Sequence, residues 1–512
     1  MGRSVLTAVC TSFVLAACVE PESTPAVAEL PAVDEADGEV AAPARPRRVL
    51  LVIADDLGAR ATPMYADDFT DVELDTARMP VIEARCGDGV RFRRAWSAPT
   101  CSPTRAAMLT GRFNFRNDTV ELVGNTTSVL PVDEPTLPRL MQAWQPGTAL
   151  AQFGKWNLGH SEVNGFDAAP NTMGWPHYAG FLDAAVLDHH AWPRTVDGRT
   201  AEVQTYTTTQ TVDDTIAWLE TLPPEQPWVA WVAFNAPHAP FHAPPSELHD
   251  YALDAADPTA AGMPDADTLR PYFHAATQAM DTELGRLLAW LDAHGQGDTD
   301  VIFIGDNGSP PEVLQSFESE RHGKGTTYEG GVHVPLCAWG PSVADGGRVV
   351  DAPVGAVDVL ATLLDLGGAP VDQVLASDTF DSQSLAPVLR DPAATLARDW
   401  AYTESSSSLG EYGATRAVLH QDQKLIRFVD VGDTRELYDL AADPLETTDR
   451  LQGTGWLEAS TEEASHDESD RHGDDDDQGD DDCDDPTEDA EVTAATERAD
   501  ALAALMDTIV SP

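Results

Sequence analysis

Four stretches of this chain are apolar without alternation: residues 49–54, 228–234, 301–304 and 334–339. A strand with one wet face alternates apolar and polar residues, so short unbroken runs predict strands covered on both faces. Helical patterns lie between them. The clearest is Met280, Leu284, Leu287, Leu288 and Leu291, a stripe at helix spacing stopped by Gly295. Strands alternating with helices predict an α/β fold, a large mostly parallel sheet sandwiched by helices. In such sheets chemistry sits just past the carboxyl ends of the strands.

Two of the runs end in acid. Asp55-Asp56 follows the first, and Asp306-Asn307-Gly308 closely follows the third. Adjacent carboxylates at the mouth of a buried strand repel each other unless a cation lies between them. Oxygen donors of this kind suit a hard divalent ion such as calcium or magnesium. Either pair alone also reads as a turn or a helix cap; two pairs at two strand ends favour a metal.

The whole chain carries 86 acidic against 31 basic residues, a formal net charge of -55. That surface repels nucleic acid and anionic membrane, which excludes both as partners. It repels anionic substrates too, so a sulfate or phosphate site must hold its own local positive charge.

A third feature is Cys101-Ser102-Pro103-Thr104-Arg105, extended through Leu109-Thr110-Gly111-Arg112. This resembles the signature of the type I sulfatases, formylglycine-dependent enzymes of the alkaline-phosphatase-like superfamily, in which the Cys of C-x-P-x-R is oxidised to formylglycine. The resemblance continues in order through Gly154-Lys155-Trp156-Asn157-Leu158-Gly159, Asn235-Ala236-Pro237-His238-Ala239-Pro240, Asp306-Asn307-Gly308, residues 323–331, Lys424-Leu425-Ile426 and residues 436–440. It spans roughly residues 47–450 plus the final helix.

The resemblance implies roles. Asp55, Asp56, Asp306 and Asn307 would hold one divalent cation, calcium in most relatives, with an oxygen of modified Cys101 completing the shell. The hydrated aldehyde would attack sulfur with help from the metal and Arg105. Lys155 and Lys324 would neutralise the sulfate oxygens, and His238 would give the leaving alcohol its proton. Asn157 stands where the family usually has His, and an amide is no base at neutral pH. His160, three residues on, or a metal-linked water is expected to take over, or turnover is slower, and changing Asn157 to His is expected to raise turnover. A formylglycine-generating enzyme would be the maturation partner, and a sulfated small molecule or glycan the substrate. The rival readings are a phosphonate or phosphate ester hydrolase of the same fold, and a non-catalytic surface binding protein.

The ends read differently. Residues 1–17 resemble a lipoprotein signal peptide closing on Leu15-Ala16-Ala17-Cys18, with Cys18 as the lipidation site. Residues 18–46 read as a flexible tether. This implies export across the inner membrane and lipid anchoring in the periplasm or outer membrane of a bacterium, with no other membrane contact. The catalytic domain is expected over 47–390. Residues 391–512 would form a smaller α+β subdomain with strands near 416–419 and 424–429, interrupted by a disordered acidic insertion, 462–491, before a helix over 497–509. Asp474, Asp476, Gln478, Gly479 and Asp485 loosely follow calcium-loop spacing, though a run this acidic yields such matches readily. In an oxidising compartment Cys86, Cys101, Cys337 and Cys483 would remain, with no pairing readable from their spacing.

Overall fold

The computed structural model describes residues 47–511 except 121–129, 160–165, 255–257, 260–263, 378, 407–412, 433 and 452–485. The signal, Cys18, the tether, His160 and Asp474 to Asp485 lie outside the described residues.

The strands are β1 (Arg48–Ala54), β2 (Val90–Phe92), β3 (Ala95–Trp96), β4 (Ala149–Lys155), β5 (Tyr178–Phe181), β6 (Trp192–Val196), β7 (Arg199–Val203), β8 (Trp228–Ala233), β9 (Asp300–Gly305), β10 (Leu336–Trp339), β11 (Arg348–Val350), β12 (Val354–Gly355), β13 (Trp400–Ser405), β14 (Thr415–His420), β15 (Gln423–Phe428) and β16 (Arg435–Asp439). Ten of them form one sheet in the order β11-β2-β10-β9-β1-β8-β4-β5-β6-β7. Its centre, β9-β1-β8-β4-β5, is parallel. The run 334–339 supplies β10, which turns antiparallel to β9, and β6 and β7 make an antiparallel edge.

Every residue of β1 is buried, as its unbroken apolar run requires. Val49, Leu51 and Ile53 pack on one face, in the core that includes Met108 of helix Cys101–Thr110 and Leu360 of helix Val359–Leu366. Leu50 and Val52 pack on the other, with Met280, Leu284, Leu287, Leu288 and Leu291 of helix Ala266–Ala293. Burying each such side chain contributes roughly 1.5–3 kcal/mol relative to exposure. The stripe therefore lies where its periodicity put it, on a helix that begins fourteen residues before Met280. The N-terminus of that helix is set by Asp265, whose carboxylate accepts the Thr268 N–H at 2.9 Å.

Register decides where chemistry can occur. Ile53 is level with both Ala233 and Ile304, and Gly154 is level with Ala233. The chain therefore leaves β1, β9, β8 and β4 at one sheet edge, delivering Asp55, Asp306, Asn235 and Lys155 side by side.

β13 to β16 form a separate antiparallel sheet. Val418, Leu425 and Leu437 of that sheet pack with Ala499, Leu502, Met506 and Ile509 of the final helix, Pro486–Val510. The helix starts at Pro486 rather than near 497, so residues 486–491 of the expected disordered insertion are helical. Proline has no amide hydrogen to leave unsatisfied at a first helical position, and the alanines that follow favour helix. Cys86 of helix Pro80–Asp88 is bonded to Cys337 of β10, with Cα atoms 5.5 Å apart. Among the described residues, no helix is long and apolar enough to cross a membrane.

Candidate active site

The turn after β1 is tight. Asp56 has φ 68°, a left-handed conformation that Asp tolerates better than most residues. Its backbone N–H donates to Asp306 Oδ1 at 3.0 Å, and its Oδ1 accepts from Asn307 Nδ2 at 2.8 Å. The two acidic strand ends are thus tied to each other. Behind them Gly308 N–H donates to Gly331 O at 2.9 Å. A Cβ at Gly308 would lie 1.9 Å from Gly330 O, so only glycine lets these two loops cross.

Cys101 opens its helix and is buried. Arg105 stands one turn on and on the same side, as i,i+4 spacing in a helix requires. Its Nε and Nη2 donate to Asp306 Oδ2 at 3.0 and 2.8 Å, and its Nη1 donates to Lys155 O at 3.0 Å. Lys155 Nζ lies 2.6 Å from Asp55 Oδ2 and Lys324 Nζ lies 2.5 Å from Asp56 Oδ1. The Lys324 loop is positioned by its neighbours: Lys324 N–H donates to Ser309 O and Gly325 N–H to Pro99 O. His238 Nε2 is 3.6 Å from Asp56 Oδ2. Its Nδ1 is 2.6 Å from Ala239 O and must donate to it. The exchangeable proton of the imidazolium is then the one on Nε2.

Asp55, Asp56 and Asp306 therefore meet Arg105, Lys155 and Lys324 with charges balanced. Burial pushes Asp306 up to about 6, Asp55 adds to this, and Arg105 opposes it. Burial also pushes Asp56 up, but His238, Lys324 and Lys155 outweigh it and hold that carboxyl well below the usual range. Burial lowers His238 to about 4, with Asp56 pulling the other way. Burial raises the Cys101 thiol, so the plain cysteine is a protonated and sluggish nucleophile.

Two oxygens bear on a metal. Asp55 Oδ1 and Asn307 Oδ1 are buried without a hydrogen-bond partner among the described residues, a costly state for polar atoms. Asp55, Cys101 and Asp306 offer ligand atoms within 4.8 Å of one another, as do Asp55, Asp56 and His238. Oxygen donors around unsatisfied lone pairs fit a hard divalent cation. With that ion bound the balanced cluster becomes cationic and suited to an anion.

All the sequence-derived candidates among the described residues converge here. Asn157 does too: its Nδ2 donates to Cys101 Sγ at 3.1 Å, and its own φ is 55°. His189, whose Nε2 meets His238 O at 3.2 Å, comes from a loop without periodicity and carries no sequence signal. Glu329 and Lys424 lie within the sulfatase-like motifs, but their pairing at 3.1 Å depends on the fold.

A family model described as Sulfatase matches residues 47–369, and one described as N-sulphoglucosamine sulphohydrolase, C-terminal matches residues 318–462. The chain is 26% identical to human N-acetylgalactosamine-6-sulfatase over 381 residues, covering 67% of this chain and 66% of that protein. The match thus spans just under two thirds of the relative. Among solved structures, PsFucS1 sulfatase from Pseudoalteromonas sp. superposes with a TM-score of 0.62 at 22% identity, covering 79% of this chain and 86% of the other. A phosphonate monoester hydrolase from Silicibacter pomeroyi gives 0.55 at 22% identity, covering 78% and 91%. Both structural likenesses establish the fold.

Proposed function

The chain belongs to the sulfatase family, and from that membership we propose that it hydrolyses sulfate esters of sugars or aryl alcohols at Cys101. The observation that carries the reading is the convergence of three carboxylates, an amide and three cations around one buried cysteine at the sheet edge.

Asp55, Asp56, Asp306 and Asn307 would hold the divalent cation, with calcium the ion their hard oxygens suit. When bound, that cation supplies Lewis acidity toward the sulfate oxygens, and formylglycine at position 101 supplies an oxygen nucleophile. The remaining work falls to side chains already in place. Lys155 and Lys324 neutralise charge on the sulfate as the ester bond breaks. Arg105 fixes Asp306 and balances the carboxylates. Asn157 donates to the side chain at 101 and so orients it. His238, with Nδ1 fixed on Ala239 O, presents Nε2 to the leaving oxygen; burial disfavours its protonated form, and Asp56 and the incoming anion oppose that effect. The Cys86–Cys337 disulfide supports an oxidising compartment, in keeping with export and an anchor at Cys18.

The test is made on enzyme from a host with formylglycine-generating activity. The tryptic peptide 95–105 is weighed, and p-nitrophenyl sulfate and p-nitrophenyl phosphate are compared as substrates. We expect the mass loss of thiol-to-aldehyde conversion, together with preference for the sulfate. Preference for the phosphate ester would favour the phosphohydrolase reading. An unmodified cysteine without turnover would leave a binding protein.

A further inference from the structure

Solvent reaches the catalytic cluster unevenly. Lys324 and His238 each expose 16% of their side chains, whereas Asp55, Asp56, Lys155 and Arg105 expose 2% or less. Sulfate bound among the cations therefore leaves its alcohol half beside His238.

Adjoining the His238 backbone is a cluster of rings. His189 and His190 follow β5, Tyr206 follows β7 and His242 follows β8; all three strands run toward the edge that carries the site. His189 holds the His238 carbonyl and stacks on His242, with centroids 4.1 Å apart and planes at 17°. His242 Nδ1 donates to Pro240 O at 2.9 Å, and its Nε2 lies 3.0 Å from the Tyr206 hydroxyl. His190 lies 5.1 Å from the Tyr206 ring and edge-on to His242 at 5.7 Å. His189 and Tyr206 are buried, His242 is half-buried and His190 is exposed.

The pair His189 and His242 is not a second anion site. Burial holds His189 well below its ordinary range and lowers His242 to about 4, so both rings are neutral at pH 7. Nor does it invite a metal, because His189 and His242 engage both ring nitrogens with neighbouring oxygens. Asp183 and Asp188, both exposed on the same loop, give the rim a negative potential. Neutral rings beside carboxylates suit a ligand with an apolar face, hydroxyls at its edge and no charge of its own.

We propose that His190 and His242, braced by Tyr206, form the subsite for the alcohol half of the substrate, and that this half is an uncharged sugar ring rather than a uronate or a second sulfated unit. The proposal rests on the sulfatase reading above. It assigns specificity to a wall contributed by the β5, β7 and β8 loops, separate from the residues that hold sulfate.

The probes are p-nitrophenyl sulfate, the four monosulfates of galactose at O2, O3, O4 and O6, and a uronic acid 2-sulfate. The wild-type enzyme is expected to hydrolyse at least one galactose sulfate with kcat/KM about tenfold or more above that for the uronate. In His190→Ala, KM for that galactose sulfate should rise about five- to tenfold, the loss of one ring contact. Its kcat, and kcat for p-nitrophenyl sulfate, should stay within twofold. His190→Phe, which keeps a ring, should restore most of the affinity. An unchanged KM in His190→Ala, a preference for the uronate, or hydrolysis of the aryl ester but no galactose sulfate would each overturn the proposal. Failure of the wild type on every sulfate ester would instead sink the sulfatase reading.

Discussion

The loop at 323–331 touches two buried ion clusters, and they differ in what their charges serve. At one end Lys324 joins the catalytic cluster, where three cations face three carboxylates, two oxygens lack hydrogen bonds among the described residues, and Lys324 and His238 reach solvent. At the other end Glu329 joins Lys424 and Glu446. Lys424 Nζ lies 3.1 Å from Glu329 Oε1, 2.6 Å from Glu446 Oε1 and 4.8 Å from the Trp96 ring. Glu446 Oε2 accepts the Glu329 backbone N–H at 2.5 Å. Both Lys424 and Glu446 are fully buried. The second cluster is therefore a clamp through which β15 and the segment after β16 hold the loop that carries Lys324. Buried charge is costly in both places. In one it prepares for a ligand; in the other it fixes backbone.

Substitutions that spare shape should separate the two functions. The largest effect belongs to Asp306→Asn, which removes a proposed metal ligand and the Arg105 partner together. Turnover of p-nitrophenyl sulfate should drop by on the order of a thousandfold, the scale of several kcal/mol of lost transition-state stabilisation. Wild-type stability should also rise by about 2.7 kcal/mol when calcium is a hundredfold above its dissociation constant. The variant should lose that rise. Retention of activity within tenfold, or an undiminished calcium response, would mean the cluster is not the metal centre. Next in size is Lys424→Met, which leaves two buried carboxylates without this cation and should cost about 3–5 kcal/mol in denaturant unfolding. Its calcium response and its turnover per folded molecule should remain within a few-fold of wild type. Unchanged stability would show that the clamp is not holding the loop.

The catalytic cluster was far more legible in the sequence than the clamp, for a physical reason. Continuous apolar runs mark β1 and β9, and a buried strand must end in a turn, so Asp55-Asp56 and Asp306-Asn307 stand at strand ends on sequence grounds alone. β4 is hard to read because Gln152 and Gly154 break its apolar pattern, although the motif around Lys155 is plain. β7 is the exposed edge strand, β6 beside it is partly exposed and holds Pro193, and both carry little periodic signal. The pairing of Cys86 with Cys337, 251 residues apart, depends on β10 lying next to β2 and its preceding helix. The clamp likewise joins Glu329 and Lys424 across 95 positions, and spacing within a sequence says nothing of such closures. His189 presents the same difficulty, since its role depends on a loop packing behind His238.

The smallest expected effect is also the most specific to the clamp. Burial, reinforced by Glu329, pushes Glu446 up from 4.5 to about 7, against the pull of Lys424. A carboxyl raised in the folded state binds its proton more tightly folded than unfolded, so stability falls as pH climbs through the interval between the two values. Below about 4.5 both states are protonated, and above about 7 neither is, so the slope is confined to that window. Glu446→Gln imitates the protonated form, keeps an oxygen for the Glu329 N–H and leaves Lys424 matched to one carboxylate. Relative to wild type, the variant should therefore gain stability between pH 5 and 7 and hold a constant difference above pH 7, as read from denaturation midpoints at half-unit steps. Calcium dependence should be the same in both proteins at every pH, because Glu446 belongs to the clamp rather than to the centre. A difference that stays flat across the window would place the titrating proton elsewhere. A pH trend that vanished when calcium was added would mean that the two clusters are coupled through the loop they share.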